Sequence, residues 1–234
     1  MNKHFFFLKI ELIDIEPTIF RCFMVPSTIT LDRLHDVIQI VMGWTDSHLY
    51  EFNIKNIEYI EYTELEIEGL NCFRYRLDEL INKTGESFIY LYDFGDSWKH
   101  KVTLLDSNFI SPIFDTDLLC ITGLRACPPE DVGGSYGYKE FLEILKDPTH
   151  EEYERNVMWV GEDFDSEFFI SKKINNELLK YLQWSRQRTK MGQIKKEAKL
   201  RMITYFIEAP LEMVLLILSF SPYISYHHEK ILIM

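Results

Sequence analysis

The chain has 234 residues, 47% of them hydrophobic, which suffices for one domain and an appendage and excludes a disordered or fibrous protein. Its four cysteines form no C-x-x-C pair, which argues against a disulfide framework and against a structural zinc site. The net charge of −12 is uneven, because residues 1–171 carry −18 and residues 172–234 carry +6. An acidic body repels phosphate backbones, so nucleic-acid binding by the main domain is disfavoured.

The chain begins with a predicted pair of strands. Residues 5–15 and 18–25 are rich in apolar, β-branched and aromatic side chains, and Glu16-Pro17 separates them as a turn would. The first nine residues contain an apolar run of only four residues, too short for a signal peptide. We therefore expect a reducing, cytoplasmic location.

A helix and a third strand follow. Thr30 can cap a helix, and Gly43 stands where a helix C-terminus favours a left-handed residue. Strand character resumes over residues 48–54. The helix is predicted from apolar residues at intervals of three and four, namely Leu31, Leu34, Ile38 and Val41.

The second half of the domain predicts a hairpin and several helices. Residues 87–93 and 98–105 resemble two strands joined by a short turn that contains Gly95. Apolar spacing around Tyr138 predicts a helix that ends near Asp147-Pro148. Further short helices are predicted over residues 77–81, from a Thr149 cap through Arg155, and over residues 174–182.

The predicted domain covers residues 1–182, and residues 183–234 form a basic, then apolar, helical extension. The longest unbroken apolar run of this extension, residues 213–218, is far shorter than the roughly 20 residues that span a bilayer, so no membrane role is expected. We expect its apolar helix to pack on the body or on a second copy of the chain, which would make a homo-oligomer.

The first candidate site segment is the turn of the predicted hairpin. Residues two apart on a strand share a face, so Trp98 and His100 should point the same way, with Asp93 or Asp96 across the turn. An imidazole beside a carboxylate can act as a general base or as part of a metal site. The alternative is structural: Asp96 fixes the turn, Trp98 fills the core and His100 bonds a neighbour.

The second candidate segment is the loop before the Tyr138 helix. A glycine loop that opens a helix can cradle phosphate, and Gly133 and Gly134 supply such a loop. Glu130 and Asp131 would repel phosphate, however, so the loop suits a cation or a hydrogen-bond donor better.

Other patterns carry less chemistry. Gly133-x-Ser135-x-Gly137 matches the string of a hydrolase nucleophile elbow but lacks the strand that must precede it. His35 and His48 are each interpreted as core histidines rather than ligands.

Four segments together resemble the plasmid pRi ORF-three-like family. They are LHDVIQIVMGWTDSHLYEF (34–52), YLYDFGDSWKHKVTL (90–104), CPPEDVGGSYGYKEFLEILKDPTHEEYE (127–154) and FDSEFF (164–169). The resemblance covers about residues 3–182 and implies a single α+β domain with a mixed, mostly antiparallel sheet and flanking helices. It implies a protein carried on plasmids or insertion elements and no established reaction. Nothing in the chain resembles the catalytic domain of a serine recombinase.

The leading functional hypothesis is a cytoplasmic binding protein with an acidic, aromatic-lined pocket. Negative charge would come from four carboxylates, with an imidazole as donor, two aromatic walls and a glycine loop. Such a pocket suits a basic peptide of an unknown protein or a small cationic ligand. The predicted ligand-binding residues are Asp93, Asp96, Trp98, His100, Glu130, Asp131, Gly133, Gly134 and Tyr138.

Two alternatives remain at this point. A metal-dependent hydrolase would use His100 and nearby carboxylates to hold a divalent cation, although no H-x-x-x-H or H-E-x-x-H spacing exists to assign metal ligands. The basic stretch 180–201 would be the only nucleic-acid contact, and it could equally neutralise the acidic body.

Overall fold

An eight-stranded sheet organises the chain in a computed structural model that describes residues 4–61, 69–111 and 116–185. The strands are β1 (Phe5–Leu12), β2 (Phe20–Pro26), β3 (Tyr50–Ile54), β4 (Ile57–Ile60), β5 (Leu70–Asn71), β6 (Ser87–Tyr92), β7 (Trp98–Phe109) and β8 (Leu119–Leu124). The helices are α1 (Leu31–Met42), α2 (Leu77–Leu80), α3 (Gly134–Ile144) and α4 (Tyr153–Val160), with a short 3-10 helix at Cys72–Arg74. Residues 171–185 are also helical.

The strand order is β5-β4-β3-β6-β7-β1-β2-β8, so β7 and β1 lie inside the sheet. Every neighbouring pair is antiparallel except β4 and β5, which run parallel. The predicted α+β class with a mixed, mostly antiparallel sheet is therefore confirmed.

The predicted opening strand pair is present as β1 and β2. They run antiparallel from the Phe5–Pro26 pair to the Glu11–Phe20 pair. Leu8, Ile10 and Leu12 on β1 are buried, as period-two alternation of a strand with one core face requires.

Helix α1 covers the core with its apolar face and ends where the sequence predicted. Gly43 adopts the left-handed conformation, with φ of 97°, and its N–H bonds to the carbonyl of Gln39. Thr30 precedes the helix in an extended conformation but its side chain makes no capping bond. The expected cap is therefore absent, and Leu31 and Leu34, both fully buried, hold the helix start by packing.

Helix α3 confirms the predicted helix around Tyr138, whereas the next helix differs from the prediction. Thr149 directs its hydroxyl back to Asp147 Oδ1 at 2.6 Å, so it does not cap a helix. Helix α4 instead begins at Tyr153 and continues past Arg155 to Val160.

The predicted C-terminal extension lies almost wholly outside the described residues, and its helices and its oligomeric contact stay predictions. Residues Met1–Leu182 form one compact unit, which is the subject of all that follows. Within the described part of the chain, no helix combines the length and the apolar character that crossing a bilayer demands.

Removing a side chain from the middle of the sheet should cost much of the stability. Leu8 on β1 is fully buried, and Leu8→Ala should lower the free energy of unfolding by about 2–5 kcal/mol. Leu105→Ala on β7 is the matched control, since Leu105 is 37% exposed, and it should cost less than about 1 kcal/mol. Urea unfolding followed by circular dichroism measures both, and equal losses would contradict this account of the core.

Candidate functional site

The turn between β6 and β7 is held in shape by its own first residue. Asp93 has a positive φ of 58° and is only 7% exposed. Its Oδ1 accepts a hydrogen bond from the N–H of Gly95 at 2.8 Å, and its carbonyl accepts from the N–H of Ser97 at 2.6 Å. One carboxylate oxygen of Asp93 thus fixes the turn, and Oδ2 is left to face other groups.

The loop before α3 docks directly on this turn. Asp96 Oδ2 accepts a hydrogen bond from the N–H of Gly133 at 3.0 Å. Gly134 has a φ of +68°, and a Cβ there would lie 2.4 Å from the carbonyl oxygen of Asp96. The glycines therefore serve a close approach of two backbones, and the structure brings the two predicted site segments together.

Glu130 fastens the same loop to a third segment, the turn that follows α1. Its carboxylate accepts bonds from the N–H and the hydroxyl of Thr45, and from Tyr92 Oη at 2.6 Å. Tyr92 Oη in turn accepts from the N–H of Ser47 at 3.0 Å. Burial, and then the bond to Glu130, raise the pKa of Tyr92, so its hydroxyl stays a proton donor at neutral pH.

Trp44 fills the space beneath these loops. Its Nε1 donates to the carbonyl of Pro128 at 2.9 Å, and its ring stacks on Tyr92 with centroids 4.9 Å apart. The edge of the His100 ring meets Trp44 at 5.1 Å. Trp44 thus joins the loop segments to the core.

Three of the predicted ligand-binding residues lie in the core, which contradicts their predicted place in the wall of a pocket. His100 is fully buried, Trp98 is 2% exposed and Tyr138 on α3 is fully buried. Trp98 and His100 do share a face, but it is the face that the helices cover. They therefore do not present an imidazole or aromatic walls to a ligand from solvent.

The environment of His100 does not suit acid–base chemistry with a ligand from solvent. Its Nδ1 lies 3.2 Å from the carbonyl of Tyr90, and burial lowers its pKa to about 3. The ring is neutral at physiological pH and packs between aromatic side chains. The hydrolase hypothesis loses its central residue.

The histidine that faces the candidate site carboxylates is His48. Its Nε2 lies 3.2 Å from Asp131 Oδ1 and 3.7 Å from Asp93 Oδ2. Its ring is partly exposed, at 27%, and it contacts Tyr92 edge-on. The expectation of a core histidine is wrong here, since His48 lies between two of the predicted carboxylates.

His35, in contrast, is a core histidine, as expected. Its ring stacks on Tyr50 at 3.5 Å, its Nδ1 bonds to Tyr90 Oη at 2.7 Å, and its Nε2 bonds to Asp46 Oδ1 at 2.7 Å. Gln39 Nε2 also donates to Tyr90 Oη at 3.0 Å. Tyr90 Oη therefore accepts from Gln39 and also contacts His35 Nδ1, so that both ring nitrogens of His35 have polar partners.

A pocket of about 400 Å³ opens between α3 and α4. Three carboxylates line it, from Asp131, Glu140 and Glu152, and the pocket also contains Arg155. Arg155 pairs with Glu152 at 2.5 Å. The pocket is therefore acidic, and it adjoins the turn and loop assembly through Asp131.

The aromatic walls of this pocket are Phe141 and Trp159, whose rings meet edge-on at 5.7 Å. Trp159 is 48% exposed, in keeping with its place on α4, none of whose residues is buried. The sequence analysis did not identify Trp159. What identifies it is the exposure of a large aromatic side chain beside acidic residues, and the structure supplies that observation.

A family comparison places the chain. The family model described as plasmid pRiA4b ORF-3-like protein matches residues 4–173. The chain belongs to this family. The match confirms the resemblance seen in the sequence, and no reaction is established for the family.

Two relatives support the same placement. An uncharacterised protein, y4hQ, from Sinorhizobium fredii (strain NBRC 101917 / NGR234) is 40% identical over 192 residues, which are 78% of this chain and 96% of that protein. The crystal structure of a protein of unknown function, MM3350, from Methanosarcina mazei Go1 is 36% identical with a TM-score of 0.66. That match covers 74% of this chain and 98% of the crystallised one. The crystallised protein therefore shares this α+β fold.

The docking of the α3 loop on the β6–β7 turn predicts an unequal cost for two glycine substitutions. Gly134→Ala forces both a left-handed alanine and a collision with a backbone oxygen, so the unfolding free energy should fall by about 3 kcal/mol or more. Gly85→Ala is the control, because Gly85 also has a positive φ, of 92°, but a Cβ there meets nothing within 4 Å. It should cost about 1 kcal/mol. Denaturant titration of both variants tests this, and equal costs would argue against the close approach.

The buried His100 predicts a stability that falls in mild acid. Its pKa is about 3 in the folded chain, below the ordinary 6.5. The unfolded chain therefore binds a proton at a higher pH than the folded chain does, and the free energy of unfolding falls as pH falls below about 6.5. Between pH 7 and pH 5 this one group should remove about 2 kcal/mol. In the His100→Gln variant, the difference between the free energies of unfolding at pH 7 and at pH 5 should be smaller by that amount, even if the substitution also changes the stability at pH 7.

The control for this measurement is His150→Gln, at an exposed ring. When urea unfolding is measured at pH 7 and at pH 5, this variant should retain the pH dependence of the unsubstituted protein. If His100→Gln also retained it, the neutral buried imidazole would be disproved.

Proposed function

We propose that the protein is a cytoplasmic binding protein that holds a cationic group in the pocket between α3 and α4. The group would be a Lys or Arg side chain of a basic peptide, or the cation of a small ligand. The observation that carries the proposal is the combination of three carboxylates and an exposed tryptophan in one pocket of about 400 Å³.

Charge supports a cationic ligand. The pocket has three carboxylates and one guanidinium, and that guanidinium is already paired with Glu152. The surrounding residues 1–171 carry a net charge of −18, which attracts cations at long range and speeds their association at low salt.

The aromatic groups support the same ligand class. The Trp159 ring is half exposed and lines the same pocket as Glu152 and Glu140, so a cation bound there has an aromatic ring within the pocket to contact. A cation over an aromatic face gains about 0.5–2 kcal/mol, and tryptophan is the best of the aromatic partners. Phe141, the other aromatic wall of the pocket, is 3% exposed and packs in the core.

The proposed ligand is still a cationic group, as the sequence predicted, but the proposed pocket is a different one. Of the nine residues predicted to bind, only Asp131 lines the new pocket. Asp96, Gly133 and Gly134 instead position the loop that carries Asp131. Glu130 does the same from the side of Thr45.

The structure bears differently on the two alternatives, the metal-dependent hydrolase and the nucleic-acid contact. A hydrolase built on His100 has no accessible imidazole, since that ring is fully buried. The basic stretch 180–201 lies largely outside the described residues, so a nucleic-acid contact there stays a prediction.

Binding is best tested with a library of short Lys- and Arg-containing peptides and, in parallel, with small organic cations such as agmatine and choline. Trp159→Ala should weaken any bound ligand about two- to thirtyfold in calorimetric titrations, the range that a cation–π contact supplies. Glu140→Gln should also weaken it, more at low salt than at high salt.

Two exposed positions away from the pocket serve as matched controls. Phe73→Ala removes an aromatic ring that is 51% exposed, and Glu177→Gln removes a surface carboxylate from residues 171–185. Both should bind as the unsubstituted protein does. Ligands that bind equally to Trp159→Ala and Glu140→Gln would show that the pocket is not the binding site.

A further inference from the structure

Three ligand-type side chains meet beside the β6–β7 turn. They come from separate parts of the chain: His48 precedes β3, Asp93 begins the turn and Asp131 belongs to the loop before α3. The imidazole Nε2 and one oxygen of each carboxylate lie within 4.8 Å of one another. The docking of the three segments therefore assembles this group, which no single sequence motif contains.

The contacts of His48 differ from those of an ordinary histidine–carboxylate pair. His48 Nε2 is buried as an atom and has no hydrogen bond among the described residues, although carboxylate oxygens lie 3.2 and 3.7 Å away. The same chain provides the comparison, because His35 Nε2 bonds to Asp46 Oδ1 at 2.7 Å. A proton between His48 and Asp131 would favour that shorter, aligned geometry.

The two distances from His48 Nε2 match those between neighbouring ligands of one metal ion. Zinc binds histidine nitrogen and carboxylate oxygen at about 2.0–2.2 Å, so neighbouring ligand atoms of a tetrahedral ion are about 3.4 Å apart. The two observed distances from His48 Nε2, 3.2 and 3.7 Å, lie on either side of this value.

The surroundings of the carboxylates fit a ligand role as well. Asp93 Oδ1 accepts from the N–H of Gly95, which orients the carboxylate so that Oδ2 faces His48. Hydrogen bonds of this kind commonly hold metal ligands in place. Asp131 is 72% exposed, so an ion can enter from solvent on that side.

We propose that His48, Asp93 and Asp131 bind a divalent transition-metal ion such as Zn²⁺ or Mn²⁺. The imidazole suits Zn²⁺ and the two carboxylates suit Mn²⁺, whereas Ca²⁺ and Mg²⁺ are bound mainly by oxygen donors. Three protein ligands leave at least one coordination position for water. The site goes beyond the proposed cation pocket and shares only Asp131 with it.

The test uses the full chain without an affinity tag, stripped with a chelator and titrated calorimetrically with Zn²⁺ and with Mn²⁺. One ion should bind per chain. His48→Ala should weaken the binding about 100-fold or more, because even the loss of an outer hydrogen-bond partner of a metal site costs about 10–100-fold. Co²⁺ absorption provides a second readout, since its visible d–d bands depend on the ligand set and the coordination geometry and should change in His48→Ala.

The controls separate this site from the others. Asp46→Asn alters the second group of His and carboxylates, His35, Asp36 and Asp46, and should leave the stoichiometry and affinity unchanged. Glu140→Gln should weaken the cation pocket and keep the metal, whereas His48→Ala should do the reverse. No binding of either ion, or binding that survives His48→Ala unchanged, would overturn the proposal. Circular dichroism confirms that each variant folds.

Discussion

The arrangement of the loops at the candidate sites depends on one partly buried contact, the hydrogen bond from Tyr92 Oη to Glu130. Tyr92 ends strand β6 in the core, so it offers a rigid donor, and Glu130 extends from a loop without regular structure. The same carboxylate binds Thr45, and the same hydroxyl accepts from Ser47. One tyrosine–glutamate pair thereby fixes two loops to the end of the sheet. A hydrogen bond from a neutral hydroxyl to a carboxylate in a partly buried place is strong, and its loss would leave Glu130 held by Thr45 without the link to the sheet.

Local patterns predicted the elements well, because each was expressed in neighbouring residues. The strand pair around Glu16-Pro17, helix α1 ending at Gly43 and the hairpin around Gly95 each follow from alternation, three- to four-residue spacing or a turn residue. The meeting of the two glycine- and acid-rich segments was also predicted and is present. Alternation along the strand predicts that Trp98 and His100 share a face, but it does not predict which face of the sheet the helices cover. The helices cover the face of Trp98 and His100, so both side chains are buried and do not belong to a ligand site.

The remaining features depend on contacts between residues far apart in the sequence. His48 and Asp131 are 83 positions apart, and nothing near either residue indicates the other. Trp159 was missed for a related reason, since its exposure depends on how α4 lies against α3. The two histidines of the 35–48 region show the limit most directly. The sequence predicts both as core histidines, yet one ring stacks on Tyr50 and bonds to Tyr90 and the other faces two carboxylates.

Asp131 stands at the border of both proposed sites, and this position couples them. Its carboxylate lines the pocket between α3 and α4 and also approaches His48 Nε2. If an ion takes that negative charge, an organic cation next door loses part of its attraction. Thermodynamic linkage then requires the effect to be mutual, so that each occupant lowers the affinity of the other by the same factor. A single exposed side chain would in this way make the protein respond to the balance between two kinds of positive charge in its surroundings.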